Sequence, residues 1–154
     1  DIRRLVEEMI ETMDVCDGIG LAAPQVHHSI RLFVMHKPLE GPSGNIEPGE
    51  IKIFINPKIV SSSEKTWKAP EGCLSIPTIR SLVERPQEIT VEYTRLDGSQ
   101  ATEHLSGWEA RVVLHESDHL DGVLFIDRLE EKQRAQLEGP LQKLQKRIHD
   151  HKTL

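Results

Sequence analysis

The segment His115-Glu116-Ser117-Asp118-His119 constrains the fold of this chain more than any other part of its sequence. Residues four apart lie on one face of an α-helix, so a helix would bring both imidazoles to one metal ion. Glu116 would lie one step round the helix, near the ion but not bound to it. A carboxylate in that place can take a proton from a water molecule. The pattern therefore predicts a helix that carries part of a metal centre.

Two histidines leave this centre incomplete, because a catalytic metal site usually has three protein ligands and one open position. One class of metalloproteases has its third histidine where this chain has Phe125, which cannot bind a metal. Another class takes a glutamate from a later helix, and the available residues are Glu130, Glu131 and Glu138.

Upstream, Cys73 lies between Gly72 and Pro77, outside any regular apolar pattern. Because the two histidines need a third ligand, this position of Cys73 favours its interpretation as a thiolate ligand. Cys16 has no partner motif and is interpreted as structural.

Composition excludes several classes of protein. A chain of 154 residues is long enough for one ordinary domain. Its 19 Lys and Arg against 25 Asp and Glu give a net charge of −6, which argues against a DNA-binding protein. No apolar run approaches the length of a membrane span, so we expect no membrane partner. Two cysteines are too few for a disulfide framework and suit a reducing compartment.

Hydrophobic periodicity predicts helices at both ends of the chain and strands between them. The first helix should cover residues 2–13. The last should cover about 129–150, where Gly139-Pro140 should interrupt or kink it. A helix from Gly107 to about Gly122 should carry the two histidines, with Ser106 and Glu109 as a capping box. The segment 37–50 is predicted to be an exposed loop. The predicted strands are 30–35, 51–55 with 58–63 as its extension, and a hairpin of 88–94 and 100–105.

A third segment, Gly18-Ile19-Gly20-Leu21-Ala22-Ala23-Pro24-Gln25, has two glycines that allow the backbone to approach a ligand closely. Gln25 is either an ordinary loop amide or a donor to an oxyanion. With Glu71-Gly72-Cys73-Leu74-Ser75 and the HESDH segment, these motifs in this order resemble the peptide deformylases, in particular the bacterial type that ends in a helix. The resemblance runs from the first helix to about Arg128.

The resemblance implies a metallohydrolase that removes the N-formyl group from the N-terminal formylmethionine of nascent polypeptides and releases formate. It implies that the metal ligands are Cys73, His115 and His119, and that Glu116 is the catalytic acid and base. It implies that Gln25 and the backbone N–H of Leu74 contact the oxyanion. The substrate contacts that it implies are Ile19, Gly20, Trp108 and Arg111. Trp108 and Arg111 depart from the small or aliphatic residues of many bacterial members and are more like organellar sequences, so we expect an altered methionine pocket.

The cofactor implied is one divalent metal, with Fe²⁺ expected and Zn²⁺, Ni²⁺ or Co²⁺ fitting the same ligands. The implied fold is α+β, with antiparallel β-sheets packed around the central HExxH helix and with N- and C-terminal helices. We expect one catalytic domain over residues 1–154, with the family's first strand lying before Asp1. The implied location is the bacterial cytoplasm or an organelle matrix.

Two further contacts and one partner are predicted. Glu71 should orient a ligand imidazole. The resemblance implies a buried pair of Arg85 with Asp118, because the family carries an arginine at that spacing from the Glu71-Gly72-Cys73 motif. From Leu141 to Lys152 the cations Lys143, Lys146, Arg147 and Lys152 stand against one acidic residue, Asp150. The last helix is predicted either to contact ribosomal RNA through these cations or to be a solvated helix that only stabilises the fold. The stripe that would hold this helix on the domain is Leu141, Leu144 and Ile148. Two other functions stay open, an HExxH metallopeptidase and a structural or sensory metal-binding module.

Overall fold

Three α-helices and seven strands follow one another along the part of the chain that the structure describes. This computed structural model describes the backbone of residues 1–152 and the side chains as far as Arg147. The helices are α1 (Ile2–Val15), α2 (Gly107–Leu120) and α3 (Glu131–Lys152). The strands are β1 (Gly20–Ala22), β2 (Leu32–Glu40), β3 (Ile46–Ser62), β4 (Thr66–Cys73), β5 (Ile76–Pro86), β6 (Glu88–Thr94) and β7 (Gln100–Ser106). Short 3₁₀ turns cover Ala23–Val26 and Phe125–Arg128.

The chain separates into two units. The first consists of Asp1–Trp67 and Arg85–Val123, and the second of Lys68–Glu84 and the chain from Leu124 onward. The expectation of one catalytic domain over residues 1–154 stays a prediction. The predicted α+β class with antiparallel sheets and terminal helices is confirmed. No helix among residues 1–152 is both long enough and apolar enough to cross a membrane.

The first unit is built on a five-stranded antiparallel sheet in the order β1-β2-β3-β6-β7. Successive side chains of β2 point to opposite faces of this sheet. Phe33 and Met35 belong to the core cluster that contains Val112 and Val113 of α2. Leu32 and Val34 belong to the cluster that contains Met9 and Met13 of α1. The two helices therefore cover opposite faces of the sheet. The hydrophobic periodicity that predicted α1 corresponds to a buried stripe of Val6, Met9 and Met13, whereas Ile2 at the start of the helix is exposed.

The second unit pairs β4 with β5 in a two-stranded sheet. Its core contains Ile76, Ile79 and Val83 of β5 and Phe125 and Ile126 of the second 3₁₀ turn. Three leucines of α3 pack against this core: Leu137, Leu141 and Leu144. They confirm the predicted stripe as far as it is described, and the side chains of Ile148, Asp150 and Lys152 lie outside the described part.

The predicted loop at residues 37–50 is wrong for most of its length. β2 runs on to Glu40 and β3 begins at Ile46, so only a short turn separates them. Both strands stay hydrogen-bonded through a bulge between His36 and Pro38, where the register shifts and Pro38 faces Pro48. A bulge tolerates a proline that a regular ladder cannot. A second bulge, with Asn56 at a φ of 49°, takes β3 past Pro57 as predicted.

Two helix details also differ from the predictions. α3 continues through Pro140, so the expected interruption is wrong, and the alternative of a kink stays a prediction. Ser106 is the N-cap residue of α2 but its side chain makes no capping hydrogen bond. Glu109, the expected second member of the capping box, instead accepts a 3.0 Å hydrogen bond from Lys52 Nζ on β3. The long-range ion pair with Lys52 therefore takes the place of the local capping hydrogen bond expected for Glu109.

Candidate metal centre

The helix α2 carries both histidines on one face, as predicted. The ring centroids of His115 and His119 lie 5.0 Å apart, with the two rings nearly perpendicular at 73°. Both residues are buried. Buried imidazoles four residues apart on one helix can supply two nitrogen ligands to a single ion.

Glu116 is buried on the same helix and lies against the backbone of Gly20. A Cβ atom added to Gly20 would stand 2.7 Å from Glu116 Oε1 and 2.9 Å from its Cδ. Real Cβ contacts are not that short, so a larger residue at position 20 would displace the carboxylate. The sequence suggested that this glycine lets the backbone approach a ligand; its observed neighbour is the proposed acid and base.

Gln25 lies in the 3₁₀ turn that follows β1, within the same unit as the HESDH helix. Its Oε1 atom accepts a 2.8 Å hydrogen bond from the N–H of Ala22. This contact fixes the rotation of the amide, because the oxygen is directed at Ala22 and the NH₂ group is at the opposite end. Because Ala22 occupies the amide oxygen, a role of Gln25 towards an oxyanion would use its NH₂ group.

Cys73 and Leu74 belong to the second unit, at the end of β4 and in the turn after it. Cys73 is partly buried and forms no disulfide. Its Sγ atom accepts a 3.4 Å hydrogen bond from the N–H of Ser75. A backbone N–H directed at sulfur favours negative charge on it, which a metal ligand carries. Glu71, two residues before the cysteine, is buried.

Arg111 is a buried cation on α2, one turn before His115. Its guanidinium lies 4.5 Å from the centre of the Trp67 ring, and its Nη2 donates a 2.7 Å hydrogen bond to the Trp67 carbonyl. The Trp108 ring meets Trp67 edge-on, with centroids 5.0 Å apart. Trp67 did not emerge from the sequence analysis, because it is 41 positions away from Trp108 and belongs to no motif or periodic stripe.

The predicted pair of Arg85 and Asp118 is confirmed. Arg85 Nη1 donates a 2.9 Å hydrogen bond to Asp118 Oδ2, and both side chains are largely buried. At the end of the same helix, Arg31 on the facing chain segment donates to the carbonyl of Leu120 and to Asp121. Ion pairs therefore hold α2 at its last two turns, where the histidines lie.

Comparison with known proteins places these features in a family. The family model described as polypeptide deformylase matches residues 1–135. A peptide deformylase of Pseudothermotoga lettingae is 45% identical over 130 residues, which cover 84% of this chain and 70% of that protein. A peptide deformylase of Rhodopseudomonas palustris is 42% identical over 147 residues, covering 96% and 82%.

Solved structures agree with the sequence relatives. An inhibitor complex of an Arabidopsis thaliana peptide deformylase matches with a TM-score of 0.85 and 36% identity, covering 99% of this chain and 81% of that one. A class I type b peptide deformylase from Acinetobacter baumannii with bound Met-Ala-Ser matches with a TM-score of 0.77 and 35% identity, covering 83% and 80%. Within the first unit, His115 and His119 lie buried side by side on one helix, where they could supply two ligands to a metal ion. A match of this extent and identity means that the chain belongs to the peptide deformylase family.

Proposed function

We propose specific roles for the residues of this member of the family. The enzyme removes the N-formyl group from nascent polypeptides and releases formate. The observation that carries the proposal is the buried HESDH helix, with Glu116 between two imidazoles, in a chain that the deformylase model matches over residues 1–135. The same match disfavours the metallopeptidase alternative. A purely structural metal site is disfavoured because it would use four protein ligands and would give Glu116 no task.

The donor set fits one divalent transition-metal ion. We assign Cys73, His115 and His119 as its ligands, one thiolate and two neutral imidazoles. Three such donors leave a position open for water and substrate. When bound there, the ion supplies Lewis acidity, which polarises a carbonyl group and makes water acidic near neutral pH. Iron(II) is our proposed native ion, and zinc, nickel and cobalt suit the same donors.

Glu116 is proposed to move the proton. It takes a proton from the attacking water and later delivers it to the nitrogen of the departing peptide. Its burial against Gly20 holds the carboxylate in one place. Glu71 is proposed to orient a ligand imidazole by accepting its second N–H.

Gln25 and the backbone N–H of Leu74 are proposed to hold the negative charge that develops on the formyl oxygen. The Ala22 contact already orients the Gln25 amide with its NH₂ end away from Ala22. A preoriented donor needs no rearrangement during the reaction. Removing one such donor typically raises the barrier by about 3–4 kcal/mol.

The peptide part of the substrate is proposed to lie along Ile19 and Gly20. β1, which begins at Gly20, is the outer strand of the five-stranded sheet and pairs with β2 on one side. An extended peptide can add to such an edge through main-chain hydrogen bonds. Trp108 and Arg111 are proposed to line the pocket for the methionine side chain, with Trp67 as an additional wall because it contacts both of them.

The C-terminal helix is proposed to contact the ribosome, and the bacterial cytoplasm or an organelle matrix is the proposed location. Lys143, Lys146 and Arg147 are exposed on α3, while its leucines pack inward. A chain ending at Gly139 should retain activity on a short formyl peptide and lose low-salt binding to ribosomes. Binding that the truncation leaves unchanged would show that this helix is only structural.

The central test uses formyl-Met-Ala-Ser and the variant Glu116→Gln. The metal-loaded protein should release formate and leave the peptide bonds intact; peptide fragments would instead indicate a peptidase. Glu116→Gln should bind the metal normally, because Glu116 is not a ligand, and lose at least about 10²-fold in rate. Loss of metal in this variant would mean that Glu116 coordinates, and the assigned role would be wrong.

A further inference from the structure

His36, on β2, makes two side-chain hydrogen bonds that the proposed reaction does not use. Its Nε2 lies 2.7 Å from Asp14 Oδ1, and its Nδ1 lies 2.9 Å from the carbonyl oxygen of Gly49. Both partners are acceptors, so only the doubly protonated ring can donate to both at once. Burial of the ring works against the charged form, but the Asp14 and Gly49 contacts raise the pKa of His36 overall.

His36 contacts both ends of residues 15–20, the segment that connects α1 to β1. Asp14 is in the last turn of α1, so the side chain of His36 holds the start of the segment 15–20. The main-chain N–H of His36 donates a 2.8 Å hydrogen bond to the carbonyl of Ile19. The neighbouring Met35 pairs with Gly20 in the sheet. One residue of β2 therefore fastens both ends of a short connection.

Residues 15–20 lead directly to Glu116, the proposed catalytic acid and base. The turn after α1 is closed by main-chain hydrogen bonds and places Asp17 at a φ of 54°. It ends at Gly20, which lies against the carboxylate of Glu116. A shift of the turn would move the wall that confines this carboxylate. Misplacement of a reacting group by about 1 Å can cost about 10²-fold in rate.

We propose that His36 is a positioning residue for deformylation: by holding Asp14 and Ile19 it keeps residues 15–20 against Glu116. The inference rests on the proposed role of Glu116. Asp14 is the charged group that faces the ring from α1, and the Gly49 carbonyl faces it from β3. Loss of one ring proton at higher pH leaves one acceptor without its donor, so the connection loosens as His36 is deprotonated.

The test compares His36→Gln with His104→Gln. His104 is a matched control, since its ring also lies near a carboxylate, that of Glu88 at 3.4 Å, but on β7 and away from this connection. In the metal-loaded enzyme, His36→Gln should lower kcat by about 5- to 50-fold, with KM changed less than about threefold and metal content unchanged. Amide hydrogen exchange in residues 15–20 should become faster. His104→Gln should change neither kcat nor the amide exchange of residues 15–20.

A second pair of variants separates positioning from general loss of stability. Asp14→Asn keeps an acceptor for the ring and should retain most of kcat, whereas Asp14→Ala should behave like His36→Gln. The decline of kcat as His36 deprotonates should be present in the wild type and absent from His36→Gln. Unchanged exchange in residues 15–20, or faster exchange with an unchanged kcat, overturns the inference. Full activity of Glu116→Gln would instead refute the proposed role of Glu116, and the exchange data would still decide whether His36 holds the connection.

Discussion

The guanidinium of Arg85 donates to the carboxylate of Asp118 at 2.9 Å, and this ion pair lies on the buried side of the helix that carries both histidines. Arg85 follows the Glu71–Ser75 motif on the next strand, and Asp118 lies between the two histidines. The pair thus joins the end of β5 to α2. Its geometry makes the helix dependent on a residue 33 positions away in sequence.

Arg85→Ala should destabilise the protein strongly. Removing one partner of a buried ion pair leaves the other charge uncompensated, which typically costs about 3–5 kcal/mol. Urea unfolding of the metal-free protein would measure the change. Arg4→Ala is the control, because Arg4 and Glu8 form an exposed pair at 3.3 Å that is worth at most about 0.5 kcal/mol. Equal effects of the two substitutions would show that burial of the Arg85 pair has no energetic consequence.

Gly20→Ala should impair catalysis without removing the metal. The three atoms nearest to the added Cβ, at 2.7–2.9 Å, all belong to Glu116, so the carboxylate must move. We expect kcat to fall by about 10- to 100-fold, with metal content unchanged, as measured by formate release and metal analysis. Gly41→Ala is the matched control, since its Cβ would meet only Asn45 O at 3.6 Å. An active Gly20→Ala enzyme would mean that Glu116 can shift without loss of function.

The sequence could predict the features that short spacings encode. The i, i+4 histidines, the stripe of α1 and the β6–β7 hairpin all depend on residues close together in the chain, and all are present. The Arg85–Asp118 pair followed from the family resemblance rather than from any periodicity. The assigned roles of Cys73, Gln25 and Leu74 stay predictions.

Other features depend on residues far apart in the chain. Lys52 reaches Glu103 across 51 positions, and Trp67 reaches Arg111 across 44. No local pattern marks such partners. The strands β4 and β5 were not predicted, because their segment contains prolines and a glycine that are typical of turns. Pairing of the two strands outweighs that local preference.

Raising the pH above 10 should remove a stabilising contribution of Tyr93. Burial and the 2.6 Å hydrogen bond that Tyr93 donates to Glu103 raise the pKa of Tyr93 to about 12. An unfolded tyrosine titrates near 10, so the native state holds this proton more tightly. The contribution is complete below pH 10 and is lost as pH rises towards 12.

The measurement is the difference in free energy of unfolding between the wild type and Tyr93→Phe. Burial works against the charge of Lys52, but its bonds to Glu103 and Glu109 raise the pKa of Lys52 overall. Deprotonation of Lys52 therefore also affects stability at high pH, and the absolute pH curve is not diagnostic for Tyr93. The difference should be constant below pH 9 and should shrink between pH 10 and 12. A difference that stays constant up to pH 12 would contradict the protonated Tyr93–Glu103 contact.

Cys73→Ala should weaken metal binding and change the absorption spectrum of the bound metal. With cobalt(II) in place of the native ion, a thiolate ligand gives a sulfur-to-metal charge-transfer absorption that imidazole and carboxylate ligands lack. The band should be absent from Cys73→Ala. It should also be absent from Cys73→Asp, which keeps three ligands and hence retains a metal but offers a harder oxygen. Cys16→Ala is the control because Cys16 is the other cysteine of the chain and is exposed at the end of α1. Its band should match that of the wild type, and a band that survives in Cys73→Ala would show that the third ligand is another residue.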